Sequence, residues 1–155
     1  MRLYTSCYSS FSRFPDNWLC IGISRYIPRE LCTTSIHNFL YTPNNILAPS
    51  VGLLEDIKNG KITQEQYARR YFEEIGASIK KLGFSGSNEY FAKMVSEIAS
   101  EGWDAMVLLC YEKPQEFCHR HLLSALMRKN GFDVQEWSGS SGAKNKEDLS
   151  TSALF

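Results

Sequence analysis

Apolar and polar positions along the chain fall into distinct periodicities, and each predicts a different element. Residues 2–6 (RLYTS) and 18–24 (WLCIGIS) are short runs rich in β-branched and aromatic side chains, the composition of strands. Between them SSFSRFPDN is a polar turn, punctuated by Pro15, Asp16 and Asn17. Beyond Ser24 the periodicity is lost. Pro28, Pro43 and Pro49 argue against a long helix in residues 25–50. A loop of that length inside a compact domain is expected to cover a ligand rather than only connect elements.

The second half of the chain is more regular. Tyr67, Tyr71, Ile75, Ile79 and Leu82 recur every three or four residues, which predicts an amphipathic helix over 63–82 with this stripe in the core. Thr63 and Gln66 stand in capping-box positions, Glu65 and Arg69 form an i,i+4 pair, and Gly83 and Gly86 end the helix. A second helix over 88–101 buries Tyr90, Phe91, Met94, Val95 and Ile98 and stops at Gly102. DAMVLLCYE (104–112) reads as a strand. A helix from Pro114 to Lys129 follows, stopped by Asn130-Gly131, and FDVQEW (132–137) is the next strand. MVLLC lacks alternation, as expected of a parallel strand covered on both faces.

Strand, helix and strand with short links make a βαβ crossover. The expected fold is a single three-layer α/β domain over residues 1–137, with a mainly parallel, Rossmann-like sheet. Its ligand crevice is expected at the carboxyl ends of the strands. Residues 138–155 are polar and of low complexity and are expected to be a disordered tail.

Composition narrows the function classes. The 155 residues carry 17 basic and 17 acidic side chains, so no bulk field draws the chain to nucleic acid or an anionic membrane. The apolar runs fall short of the ~20 residues of a membrane span. The polar N-terminus does not resemble a signal peptide. Five cysteines, an odd number without a CxxC pair, suit a reduced cytoplasmic protein and give neither a zinc knuckle nor a thioredoxin motif.

Chemistry concentrates at the junction of the 104–112 strand with its helix, around Cys110, Glu112, Cys118, His119 and Arg120. With Leu122, Leu123, Leu126 and Met127 facing the sheet, Cys118 and His119 point inward and Arg120 projects from the flank. Three chemistries fit. Cys118 is a thiolate nucleophile, helped by Arg120 and by His119 or His121, although a helix beginning at Pro114 places it a full turn from the dipole's positive end. Or Cys110, Cys118 and His119 hold a metal such as zinc, with Cys7 or Glu112 as a fourth group. Or Arg120, with Arg25 or Arg29 of the long loop, binds an anion such as a phosphate. The structural alternative is that Cys20, Cys110 and His119 are core side chains. His37 carries no signal.

LLCYEKPQEFCHRHLL resembles the signature of the domain of unknown function 488 family: an apolar strand, "C-x-E", then "C-H-R" opening a helix. ILAPSVGLLEDIKNGKITQEQYARRYFEEI resembles its "LAPS" segment and following helix, and YTSCYSSF and GISRYIPR resemble its N-terminal segments. Together they span most of residues 3–127. The resemblance implies a compact three-layer α/β domain of bacteria and their phages. It implies pocket residues at the positions of Ser24, Arg25, Pro28, Cys110, Glu112, Cys118, His119 and Arg120. It supplies no reaction, and the tail past residue 138 has no counterpart.

The resulting expectation is a small cytoplasmic enzyme with a pocket formed by Ser24–Arg25, Cys110–Glu112 and Cys118–Arg120. Arg120 and Arg25, with Arg29 and Ser24, would bind a phosphorylated or nucleotide-like substrate. Cys118 would be nucleophile or metal ligand, and Glu112 or His119 general acid/base. On this reading Cys118→Ser and Arg120→Ala leave the melting temperature nearly unchanged. The alternatives are a nucleic-acid- or protein-binding module built on residues 8–43, or a metal-stabilised structural domain.

Overall fold

The structure, a computed structural model, describes residues 1–32, 36–42, 44–137 and 139. Five strands, β1 (Arg2–Cys7), β2 (Trp18–Gly22), β3 (Phe39–Leu40), β4 (Ala105–Cys110) and β5 (Val134–Glu136), form one sheet in the order β3-β2-β4-β1-β5. Every pairing is parallel. The expected α/β fold of Rossmann-like type is therefore present. β4 lies between β2 and β1, and all six of its residues are buried, as its unbroken apolar run requires. The register pairs Arg2 with Ala105 and Cys7 with Cys110, so β1 and β4 end level with each other.

The alternation of β4 divides the core. Met106, Leu108 and Cys110 face one apolar cluster, and Ala105, Val107 and Leu109 face the other. On the first face lie α2 (Val51–Lys58), α3 (Gln64–Lys81), α4 (Ser87–Ser100) and α5 (His119–Lys129). The opposite face is covered more thinly, by a 3-10 turn (Tyr8–Arg13), Phe14, Trp18, Phe39, Trp137 and Leu31 of the short α1 (Arg29–Cys32). The aromatic side chains of residues 8–14 are thus packing groups.

α3 follows its local sequence closely. The Thr63 side chain accepts from the Gln66 N–H while the Gln66 side chain accepts from the Thr63 N–H, and Tyr67, Tyr71, Ile75 and Ile79 are buried. Leu82, predicted to complete the stripe, is instead the C-cap and is exposed.

Other elements depart from the pattern. Residues 51–58, between the predicted loop and the predicted 63–82 helix, form α2, capped by the Ser50 side chain accepting from the Leu53 N–H. The helix predicted from Pro114 begins only at His119. Residues 113–116 turn on themselves instead: Glu116 Oε2 accepts the Lys113 N–H at 2.9 Å, and the Glu116 N–H donates to the Lys113 carbonyl. The tail expected to be disordered lies, apart from Gly139, outside the described residues, as does Pro43.

The last residue of β2, Gly22, has no room for a side chain. A Cβ there would stand 2.9 Å from the Tyr8 hydroxyl oxygen and 3.2 Å from both Ile27 and Phe39. Gly22→Ala is predicted to cost about 1–3 kcal/mol by overpacking. A urea midpoint equal to wild type would contradict this.

Candidate functional site

The carboxyl ends of β2 and β4 open into a pocket of about 290 Å³. Ser24, Arg25 and Tyr26 follow β2, Cys110 closes β4, and Tyr111 and Glu112 follow it. Phe117, Cys118 and His119 bring in the start of α5, and α2 and α3 add Leu54, Ile57, Lys58 and Tyr67. This is the place where a parallel sheet and a helix start leave a crevice.

Cys118 is the N-cap of α5, with extended backbone (φ −151°, ψ 141°), and its Sγ accepts the Arg120 N–H at 3.4 Å. The later helix start therefore places Cys118 at the positive end of the helix dipole, where a thiolate is favoured. Cys110 Sγ lies 3.1 Å from Glu112 Oε2 and 3.8 Å from the His119 ring nitrogens. His119 Nε2 is 2.9 Å from the Ile23 carbonyl, so this nitrogen carries the proton and donates, leaving Nδ1 as the basic nitrogen of the neutral ring. Tyr71 packs edge-on against that ring at 5.5 Å.

The two thiols differ in their readiness to ionise. A hydrogen bond from Cys110, opposed by burial and aided by His119, pulls the Cys118 pKa down to about 6. Cys110 is shifted the other way, by the same contact and by burial, and keeps its proton. Burial pushes the Glu112 carboxyl up, but its contacts with the two cysteine sulfurs, its own backbone N–H and the His119 ring outweigh it and hold Glu112 below the usual carboxylate range.

Arg120 does not project from the flank. Its side chain is 0% exposed, because its partners lie inside the fold. Nε and Nη2 fork onto Glu136 Oε1 of β5 at 3.2 and 2.9 Å, and Nη1 donates to the Glu112 carbonyl and faces Cys118 Sγ at 3.8 Å. Thr5 of β1 donates to the other Glu136 oxygen at 2.5 Å.

A family model described as the active DUF488-N3 subclade, DUF488-N3a, matches residues 3–131. The chain belongs to the DUF488 family. No curated protein and no solved structure matches it.

Of the residues that sequence reasoning nominated in this DUF488 chain, Ser24, Arg25, Cys110, Glu112, Cys118 and His119 converge on the pocket. Arg29, in α1, is exposed and does not line it. His121 faces Glu136, with Nδ1 4.0 Å from Oε2, rather than Cys118. Arg25 is tied by Nε to the Pro49 carbonyl at 3.0 Å and by Nη2 to the Ala48 carbonyl at 3.2 Å, joining β2 to the start of α2. Cys7 is level with Cys110 but bonds Ser9 at 3.1 Å.

Cys110, Cys118 and His119 place one ligand atom each within 4.8 Å of one another and could hold a metal. Sequence reasoning missed Tyr26, Lys58, Tyr67, Tyr111 and Phe117. Tyr67 was assigned to the core by its spacing, and it is buried there while also lining the pocket. A larger cleft of about 450 Å³ runs along α4, where Lys93, Glu97 and Glu101 are its charged groups, away from the cysteines. Among the described residues no helix is long and apolar enough to cross a membrane.

Because Arg120 is buried and paired, Arg120→Ala is predicted to lower stability by about 3–5 kcal/mol by stranding Glu136, contrary to the thermal neutrality expected from sequence. Cys118→Ser, which puts a good capping hydroxyl at the N-cap, is predicted to change the urea midpoint little. Equal midpoints for Arg120→Ala and wild type would refute the buried fork.

Proposed function

We propose that this DUF488 protein is an enzyme that holds a small phosphorylated or nucleotide-like molecule against the Cys118 thiolate. The observation that carries this reading is the seat of Cys118. Its Sγ caps α5, accepts the Arg120 N–H and lies beside the Cys110 thiol and His119 at the floor of the pocket. The description of the matching subclade as active agrees with a catalytic role.

On this reading Cys118 passes its proton to His119 Nδ1 and attacks an electrophilic centre of the bound molecule. As the sulfur forms its bond, the bond to the leaving group breaks and the imidazolium returns the proton to it. Glu112, held ionised, takes a proton from the water that then releases the product. Lys58 and Arg25 at the pocket wall favour an anionic substrate, with Ser24 beside them. The Arg120 guanidinium is engaged by Glu136, the Glu112 carbonyl and Cys118, so its part is to position Cys118 and raise the local potential rather than to grip substrate.

A metal centre is the second reading, favoured by the three ligand atoms within 4.8 Å. The donor set fits zinc: two thiols and an imidazole whose second nitrogen is anchored on the Ile23 carbonyl. Zinc there would supply an activated water. The Arg120 Nη1, 3.8 Å from Cys118 Sγ, puts a positive charge beside the ion and makes the thiolate reading the better supported.

The thiolate reading predicts a pH profile. The thiolate fraction of Cys118 falls as pH drops through its lowered pKa, so its alkylation by iodoacetamide, followed by peptide mass spectrometry, should be half-maximal near pH 6. A rate that climbs only in the ordinary thiol range, above about pH 8, would refute it.

A further inference from the structure

The large hydrophobic side chains exposed among the described residues are Met1, Tyr26, Leu40, Val51, Leu82 and Tyr111. Both aromatic members of this set, Tyr26 at 66% and Tyr111 at 50% exposure, line the pocket that holds Cys118. They come from different strand ends, Tyr26 after β2 and Tyr111 after β4.

One buried side chain, Tyr8, links to the Tyr111 ring and, through Ser24, to the Tyr26 backbone. The Tyr8 ring packs edge-on against Tyr111, with centroids 4.9 Å apart. Its hydroxyl is 2.6 Å from Ser24 Oγ, and Ser24 Oγ donates to the Tyr26 carbonyl. The only proton of Ser24 is spent on that carbonyl, so Tyr8 donates to Ser24. Burial raises the Tyr8 pKa and keeps that donor protonated. Gly22 leaves the space that the Tyr8 hydroxyl occupies.

Two exposed rings lining one pocket, the Tyr111 ring packed on Tyr8 and the Tyr26 backbone tied to Ser24, offer a stacking surface for a planar ligand, because exposed aromatic faces recover contact area when a flat ring covers them. Phe117, Leu54 and Ile57 add apolar lining, and Glu112 offers a carboxylate that can accept an N–H from a ring edge. Lys58 supplies a cation to the lining. A volume of about 290 Å³ is at the low end for ligand pockets and suits one nucleoside unit rather than a dinucleotide.

We infer that Tyr26 and Tyr111 make this pocket a nucleobase site, so that the substrate is a mononucleotide recognised by its ring as well as its phosphate. This rests on the pocket being the substrate site, as proposed above, and narrows the substrate class.

Isothermal titration of the full chain with the four common nucleoside 5′-monophosphates, and separately with ribose 5-phosphate, tests it. At least one nucleotide should bind about tenfold or more tighter than ribose 5-phosphate. Tyr26→Ala and Tyr111→Ala should each remove most of that difference while leaving ribose 5-phosphate binding unchanged, and the Phe variants should restore it. Tyr8→Phe, which keeps the ring and loses the bond to Ser24, should weaken the nucleotide and spare ribose 5-phosphate. Ribose 5-phosphate binding as tightly as every nucleotide would overturn the base site while leaving the anion pocket and Cys118 chemistry standing. Equal losses for both ligands in the Ala variants, or no nucleotide binding at all, would also overturn it. Alkylation of Cys118 at its wild-type rate in those variants shows that the thiolate site is intact, separating failure of this inference from failure of the proposed function.

Discussion

One guanidinium holds the site together. Arg120 joins the start of α5 to the end of β5 through Glu136, to the β4–α5 turn through the Glu112 carbonyl, and to the Cys118 sulfur. Glu136 extends the link to β1 through Thr5, and the Trp137 N–H donates to the Thr5 carbonyl at 2.8 Å. A charge removed from water is tolerated only where its hydrogen bonds are met. With Arg120 fully buried, the register of β1 and β5, the path of the 111–118 turn and the cap of α5 must all agree. Removing either partner leaves the other without its counter-charge, Arg120 fully buried and Glu136 partly so.

That constraint explains the difference between the two neighbouring thiols. The turn held by Arg120 ends with Cys118 as a cap, under the first N–H groups of α5, whereas Cys110 closes a buried strand and bonds Glu112. The helix start and the hydrogen bond from Cys110 favour negative charge on Cys118, and burial opposes it on Cys110. His119 completes the set because Ile23, 96 residues earlier and at the end of β2, fixes its ring. The floor of the pocket thus depends on three adjacent strands ending at the same level.

The sequence made legible whatever is decided locally. Thr63, Gln66 and the tyrosine–isoleucine stripe specify α3 through contacts three or four residues apart. MVLLC announces a strand buried on both faces. The convergence of Cys110, Glu112, Cys118 and His119 follows from a strand running into a helix. The start of α5 was not legible, because Pro114 is a good first helical residue and only the Glu116–Lys113 turn displaces it. α2 carried a readable signal in the sequence that no expectation drew on: Ser50 as cap before Leu53, Leu54 and Ile57. The burial of Arg120 depends on Glu136 lying in β5, and Tyr26 and Tyr111 reach one pocket only because β2 and β4 are adjacent. These contacts need the strand order, which no local pattern encodes.

Cys118 is either a free thiolate or a metal ligand. Elemental analysis of protein purified without chelators or an affinity-nickel step, with Cys118→Ser alongside, decides this most directly. The thiolate account predicts folded protein with no stoichiometric metal in either form. One equivalent of zinc or iron in wild type, lost in Cys118→Ser, would contradict it and make Cys110, Cys118 and His119 a metal centre.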